Sequence, residues 1–203
     1  MTYRTTRFLA ASAFVAVLAG CFVFAATDQV SRRDAARLQA KIDRINKNAG
    51  GERRSALKTP ISENEVNAYL RYELGDKLPA GVKDPWVSIV GDGRLSGRAV
   101  VDLSQVGKSK KTGGMLDPYS YLGGTLPVTA NGVLKSKNGV ASFVLESASI
   151  SGVPMPVWML QEIVSYYSKS AESPQGVSIE KPFALPAGIR EIQIDRGQAV
   201  VIQ

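Results

Sequence analysis

The stretch TLPVTANGVLKSKNGVASFVLESASISG, Thr125–Gly152, decides the fold class. Asn138-Gly139 sits at its centre, and both residues tolerate positive φ, so they fit a two-residue hairpin turn. The flanks are rich in Val, Thr, Ser and Ala, which suits extended strands. The stretch therefore predicts two long antiparallel strands joined around Lys137-Asn138-Gly139. Upstream, DPWVSIVGDGRLSGRAVVDLSQV predicts a second hairpin, with strands Trp86–Val90 and Leu95–Leu103 around Gly91-Asp92-Gly93. Leu95, Gly97, Ala99, Val101 and Leu103 alternate with Arg94, Ser96, Arg98 and Asp102, so one face is wet. Downstream, GIREIQIDRGQAVVIQ predicts a third hairpin turning at Asp195-Arg196-Gly197.

Two helices interrupt the strands. ISENEVNAYLRYELG opens with Ser62 as N-cap and Glu65 three residues on, a capping box, and ends at Gly75. Val66, Tyr69, Leu70 and Leu74 fall on one face. The second helix, PVWMLQEIVSYYSKS, starts at Pro156, where a missing N–H costs nothing. Trp158, Met159, Ile163, Val164, Tyr166 and Tyr167 make it apolar and aromatic all round. The order is α-β-β-β-β-α-β-β. It predicts an α+β domain over 61–203, a mostly antiparallel curved sheet of about six strands in three hairpins, with two helices on one face.

The chain ahead of this domain divides into three. Residues 1–27 hold a run, Phe8–Ala26, of 19 uncharged residues. A membrane-spanning helix needs about 20. Leu18-Ala19-Gly20-Cys21 also has the form of a lipidation box, so Cys21 is a candidate lipid attachment point. Signal anchor, lipoprotein and a signal cleaved after Ala25 are the alternatives. Residues 28–47 predict a solvated stalk helix with a narrow seam of Ala35, Leu38, Ile42 and Ile45, long enough for at most a short coiled coil. Residues 48–60, with two glycines and a closing proline, read as a linker.

Charge narrows the function. Of the net +7, residues 1–47 carry eight Lys/Arg against three Asp, and residues 48–203 carry 17 against 15 Asp/Glu. The basic excess thus flanks the apolar run, which suits lipid head groups and argues against nucleic acid as a partner. Five Lys/Arg follow the run within about 20 residues and two precede it, which alone favours a cytoplasmic C-terminal side. The order Arg4/Arg7, apolar run, small residues is nevertheless that of an export signal, and a domain facing the periplasm is the expectation.

Catalysis finds little support. There is no histidine, so Ser-His-Asp and Cys-His arrangements are excluded, as is zinc held by four Cys/His ligands. Asp84, Asp92, Asp102, Asp117, Glu146, Glu162 and Asp195 are scattered over turns and wet strand positions. No Walker loop, GxGxxG or GxSxG is present. No enzyme activity and no cofactor are expected. Two stretches instead suit a hydrophobic ligand and a membrane. Trp158, Leu160, Ile163, Val164 and Tyr167 can wall a pocket with Trp86 and Ile89 of the sheet, or form an ordinary core. In VGKSKKTGGMLDPYSYLGG, lysines precede Met115, Leu116, Tyr119, Tyr121 and Leu122, a mixture that suits a membrane interface or a loop folded over the core.

The pattern of anchor, ISENEVNAYLRYEL helix, long hairpins, helix and terminal LPAGIREIQIDRGQAVVI hairpin resembles small bacterial envelope proteins of the tubular lipid-binding (TULIP-like) type. Their opening helix, (I/L)(S/T)-x-x-E-(L/V)-N-x-(Y/L)-L, is matched by Ile61, Ser62, Glu65, Val66, Asn67, Tyr69 and Leu70. The resemblance implies a curved sheet wrapped on a helix, a lipid in the groove between them, and no catalytic residue. A membrane-tethered, non-enzymatic lipid-binding domain is therefore expected, with a structural or assembly module of an envelope complex as the alternative.

Overall fold

The computed structural model describes residues 30–49, 57–104, 124–170 and 174–203. Cys21, the apolar run and Met115, Leu116, Tyr119, Tyr121 and Leu122 lie outside them. Among the described residues no helix is long and apolar enough to cross a membrane.

The elements run α1 (Arg32–Asn48), β1 (Lys58–Ser62), α2 (Glu63–Tyr72), a 3-10 turn (Gly75–Lys77), β2 (Val82–Gly91), β3 (Arg94–Asp102), β4 (Thr125–Lys137), β5 (Val140–Ile150), β6 (Val153–Pro154), α3 (Val157–Tyr167), β7 (Phe183–Ala184), β8 (Glu191–Asp195) and β9 (Gln198–Ile202). The α+β class and the antiparallel six-stranded sheet are as expected. That sheet runs β2-β3-β4-β5-β6, with β7 beside the start of β5. Its turns obey local chemistry. Asn138 and Gly139 have φ of 53° and 80°, and Asp92 and Gly93 have 53° and 79°, so both tight hairpins use two positive-φ residues.

The third hairpin departs from expectation. It stays out of the main sheet and forms a second, three-stranded sheet in the order β1-β9-β8. Its partner β1 comes from residues that read as linker. Thr59 pairs with Val201 and is 1% exposed, while Pro60 beside it is exposed. A proline in a five-residue strand hides the strand from sequence reading, and it is tolerated because β1 is an edge. The small sheet is stitched to the large one by Ser136. Its hydroxyl donates to Ile192 O at 3.0 Å and accepts from Ile192 N at 2.7 Å.

The helices also divide differently. Leu160 and Ile163 of α3, with Met159, pack on Val101, Leu103, Val128, Ala148 and Ile150 of the main sheet to form the larger core. Each fully buried aliphatic side chain there is worth about 1.5–3 kcal/mol. Trp86 pairs with Arg98, and Arg98 alternates away from Val101, so Trp86 belongs to the face opposite α3. There Trp86, like Tyr72 of α2, packs against a cluster of Ala68 of α2 with Val30 and Ala35 of the α1 region. The two predicted helices thus serve opposite faces.

α1 is a helix as expected, but it does not stand off as a solvated stalk. Ala35, Leu38 and Ile45 of its seam are buried, and it lies along α2. Lys41 Nζ donates to both carboxylate oxygens of Glu65 and to Pro60 O, each at 2.7 Å. Arg44 donates to Thr59 Oγ1 at 3.1 Å, and Gln203 Nε2 donates to Ile45 O at 2.9 Å. The helix begins with its own capping box, Ser31 with Asp34. A seam of small and branched residues packs equally well on a second chain or on a neighbouring helix of its own chain. Here α2 supplies the neighbour.

Candidate functional site

Helix α2 closes the open edge of β2 with side chains. Asn67, 1% exposed, donates to Val87 O and accepts from Val87 N, both at 2.7 Å. The amide thereby acts as one residue of a neighbouring strand. Two residues along, the Glu63 carboxylate accepts from Ile89 N at 2.6 Å, and Ile89 O accepts from Gly197 N at 2.8 Å. An edge so covered cannot template another chain. The polar positions of ISENEVNAYL are therefore specific: Ser62 and Glu65 cap the helix, Glu65 receives Lys41, and Glu63 and Asn67 hold β2. Sequence reasoning assigned Glu65 its capping role only, and one apolar face to Val66, Tyr69, Leu70 and Leu74. The buried residues of α2 are Glu65, Asn67 and Ala68.

Before this clamped segment, β2 is irregular. Its register with β3 shifts between Lys83 and Trp86, Asp84 has φ of 48°, and Pro85 follows. Such an irregularity bends a strand and re-aims its side chains. A cleft of about 760 Å³ opens here. Its walls come from the end of α2 and the turn after it (Asn67, Leu70, Arg71, Gly75, Leu78), from the bent start of β2 (Val82 to Trp86), and from β3 and β4 (Arg98, Ala99, Val100, Pro127, Thr129). That volume lies in the range of small-molecule sites. Its lining is divided. Leu70, Leu78, Val82, Pro85, Trp86, Ala99, Val100 and Pro127 are apolar, and Arg71, Lys83 and Arg98 are exposed cations. The Arg98 guanidinium lies 5.6 Å from the Trp86 ring centroid, and that of Arg71 lies 5.6 Å from the Tyr72 centroid. Stacking of this kind holds a guanidinium in place while leaving its N–H edges available.

Of the expected ligand-binding residues, Trp86 lines this cleft. Ile89, three residues on, belongs to the opposite face and is 4% exposed. Leu160 and Ile163 are buried in the larger core, with Val164 and Tyr167 packed against them. These four are brought together, but as side chains packed on strand side chains rather than as a wall of the cleft. The Tyr167 hydroxyl donates to Asp102 O. Burial, and after it the Asp102 charge and Tyr166, push the Tyr167 phenol above its ordinary value of 10.0. Trp158 sits at the start of α3, 49% exposed. Sequence reasoning missed Arg71, Lys83 and Arg98 because they come from three separate elements. The Lys83-Asp84-Pro85-Trp86 run carried the available signal, since proline inside a strand marks a bulge or edge.

No family model matches the chain, and no curated protein matches it. Among solved structures it shows a slight likeness to the crystal structure of a lipopolysaccharide binding protein, at 18% identity and a TM-score of 0.18. The match covers 72% of this chain and 40% of the length of that protein. A likeness so slight decides neither the fold nor the activity of this chain.

Proposed function

We propose that the chain is a non-enzymatic, membrane-tethered module of the bacterial envelope, facing the periplasm, that binds a lipid or another amphiphile in the cleft between α2 and the bent start of β2. The observation that carries the reading is the cleft itself, an apolar floor with cations at its edge. The uncharged Phe8–Ala26 run supports the tether, as an uncleaved anchor or, through Cys21, as a lipoprotein. Native mass spectrometry of the full chain, released from detergent after extraction from host membranes, tests it. A bound species of lipid mass, lost on denaturation, is expected. Val100→Asp puts a charge on the floor and should remove that species, while Val144→Asp, at an exposed strand position, should keep it. A lipid that remains bound to a folded Val100→Asp chain refutes the assignment.

One observation favours the alternative of an assembly module. On the outer edge of β5, β6 covers Ser149 and Ile150, and β7 covers Val140 and Ala141. Among the described residues, no strand pairs with that edge between Ser142 and Ser147, and Val140, Val144 and Phe183 are exposed nearby. A photo-crosslinker at Val144 that captures one envelope protein in cells would favour this reading.

A further inference from the structure

We infer that the cleft selects amphiphiles by an anionic, phosphate-bearing head group, held by Arg71, Lys83 and Arg98 while Trp86 and Val100 cover the chain. The inference rests on the amphiphile reading above and adds its ligand class. Three features of the structure lead to it.

The first is charge. Residues 48–203 are almost balanced, with 17 Lys/Arg against 15 Asp/Glu. The cleft is not: three cations line it against one carboxylate, Asp84. The ion pairs among the described residues join Arg37 to Asp34, Lys41 to Glu65 and Arg94 to Glu146, and use none of the three. Three cations that line one cleft from three elements, and take no part in those ion pairs, favour an anion.

The second is geometry. Arg98 is stacked on Trp86, so the same ring that floors the cleft also positions a guanidinium at its edge. A guanidinium offers paired N–H donors that match a phosphate. Apolar surface and oriented fork are therefore adjacent, as a ligand with an apolar chain joined to a phosphate requires.

The third is position, and it decides between a lipid head group and free phosphate. Trp86 and Tyr72 pack against the cluster that holds Val30, and the Tyr72 hydroxyl donates to Val30 O at 3.3 Å. Val30 follows Ala26, the end of the apolar run, by four residues. Four residues reach at most about 14 Å. With the run in a bilayer, the cleft is tethered within reach of the head-group layer.

The test uses the full chain carrying Trp158→Phe, in phosphatidylcholine vesicles, so that Trp86 is the sole tryptophan. Three brominated single-chain probes of equal chain length are titrated: lysophosphatidic acid, lysophosphatidylcholine and monoacylglycerol. Bromine quenches tryptophan at short range. Lysophosphatidic acid should bind at least about tenfold tighter than monoacylglycerol, and Arg98→Gln with Lys83→Gln should reduce that ratio to about threefold or less. A chain carrying Trp86→Phe instead, with Trp158 as reporter, should show no saturable quenching. Equal binding of the three probes overturns the head-group inference and leaves the amphiphile reading standing. Absence of saturable quenching by every probe overturns both. Full displacement of the lysophosphatidic acid probe by an equimolar amount of inorganic phosphate would make this a free-anion site and overturn the lipid assignment.

Discussion

The Asn67 clamp is the feature on which the cleft depends, and Asn67→Ala tests it. The side chain is 1% exposed and makes two hydrogen bonds of 2.7 Å to the backbone of Val87. Truncation leaves one N–H and one C=O of β2 without partners, each costing about 1–3 kcal/mol. Val87 is only half-buried, so water reaches these groups in part and the lower end of that range applies. With the packing lost at a buried position, the sum is about 2–4 kcal/mol. For a chain of this size that corresponds to a fall in Tm of roughly 4–16 °C. Asn67→Asp keeps an acceptor for Val87 N but sets a carboxylate oxygen against Val87 O at a buried position, so it should cost at least as much as Asn67→Ala. The assay is thermal unfolding of the full chain in mild detergent by circular dichroism, with amide hydrogen exchange at Val87 as the local readout. A loss below about 0.5 kcal/mol, the level of an ordinary surface substitution, would refute the reasoning. So would an unchanged exchange rate at Val87.

Other consequences concern the core and pH. Ile163→Ala, at a site 4% exposed in the larger core, should cost about 2–4 kcal/mol. Val144→Ala, at 46% exposure, should cost about 1 kcal/mol or less, and the opposite order in urea unfolding would place the core wrongly. Burial raises the Tyr167 phenol, so the fold favours its neutral form. The stabilisation is fully present below the ordinary value of 10.0 and is lost as pH rises through the raised value. Tyr167→Phe should therefore remove a phenolate absorbance that titrates above 10.0 and flatten the loss of stability above that pH. An unchanged alkaline titration would contradict the burial of that hydroxyl.

The sequence by itself determined what depends on near neighbours. Asn138-Gly139 and Asp92-Gly93 set their turns because each pair accepts two positive φ values. Ser62 and Glu65 started α2 because a capping box closes within three residues. Alternation from Leu95 to Leu103 separated a wet face from a buried one. Only the tertiary structure decided which surfaces meet. An apolar seam such as Ala35-Leu38-Ile45 carries no address, and α2 became its partner through contacts such as Lys41 with Glu65, 24 residues away. The third hairpin pairs as well with β1 as it would with the large sheet, since backbone ladders are alike everywhere. Ser136 and Thr59 decided its place from far along the chain. The cleft belongs to the same class. Trp86 was legible as an aromatic beside a strand, but the cations of the cleft come from α2, β2 and β3 and become one site only when Asn67 and the irregularity before Trp86 set the angle of the strand. Periodicity reports which residues share a face. It does not report which face lies over which, because that choice is made by side chains distant in sequence and adjacent only in the fold.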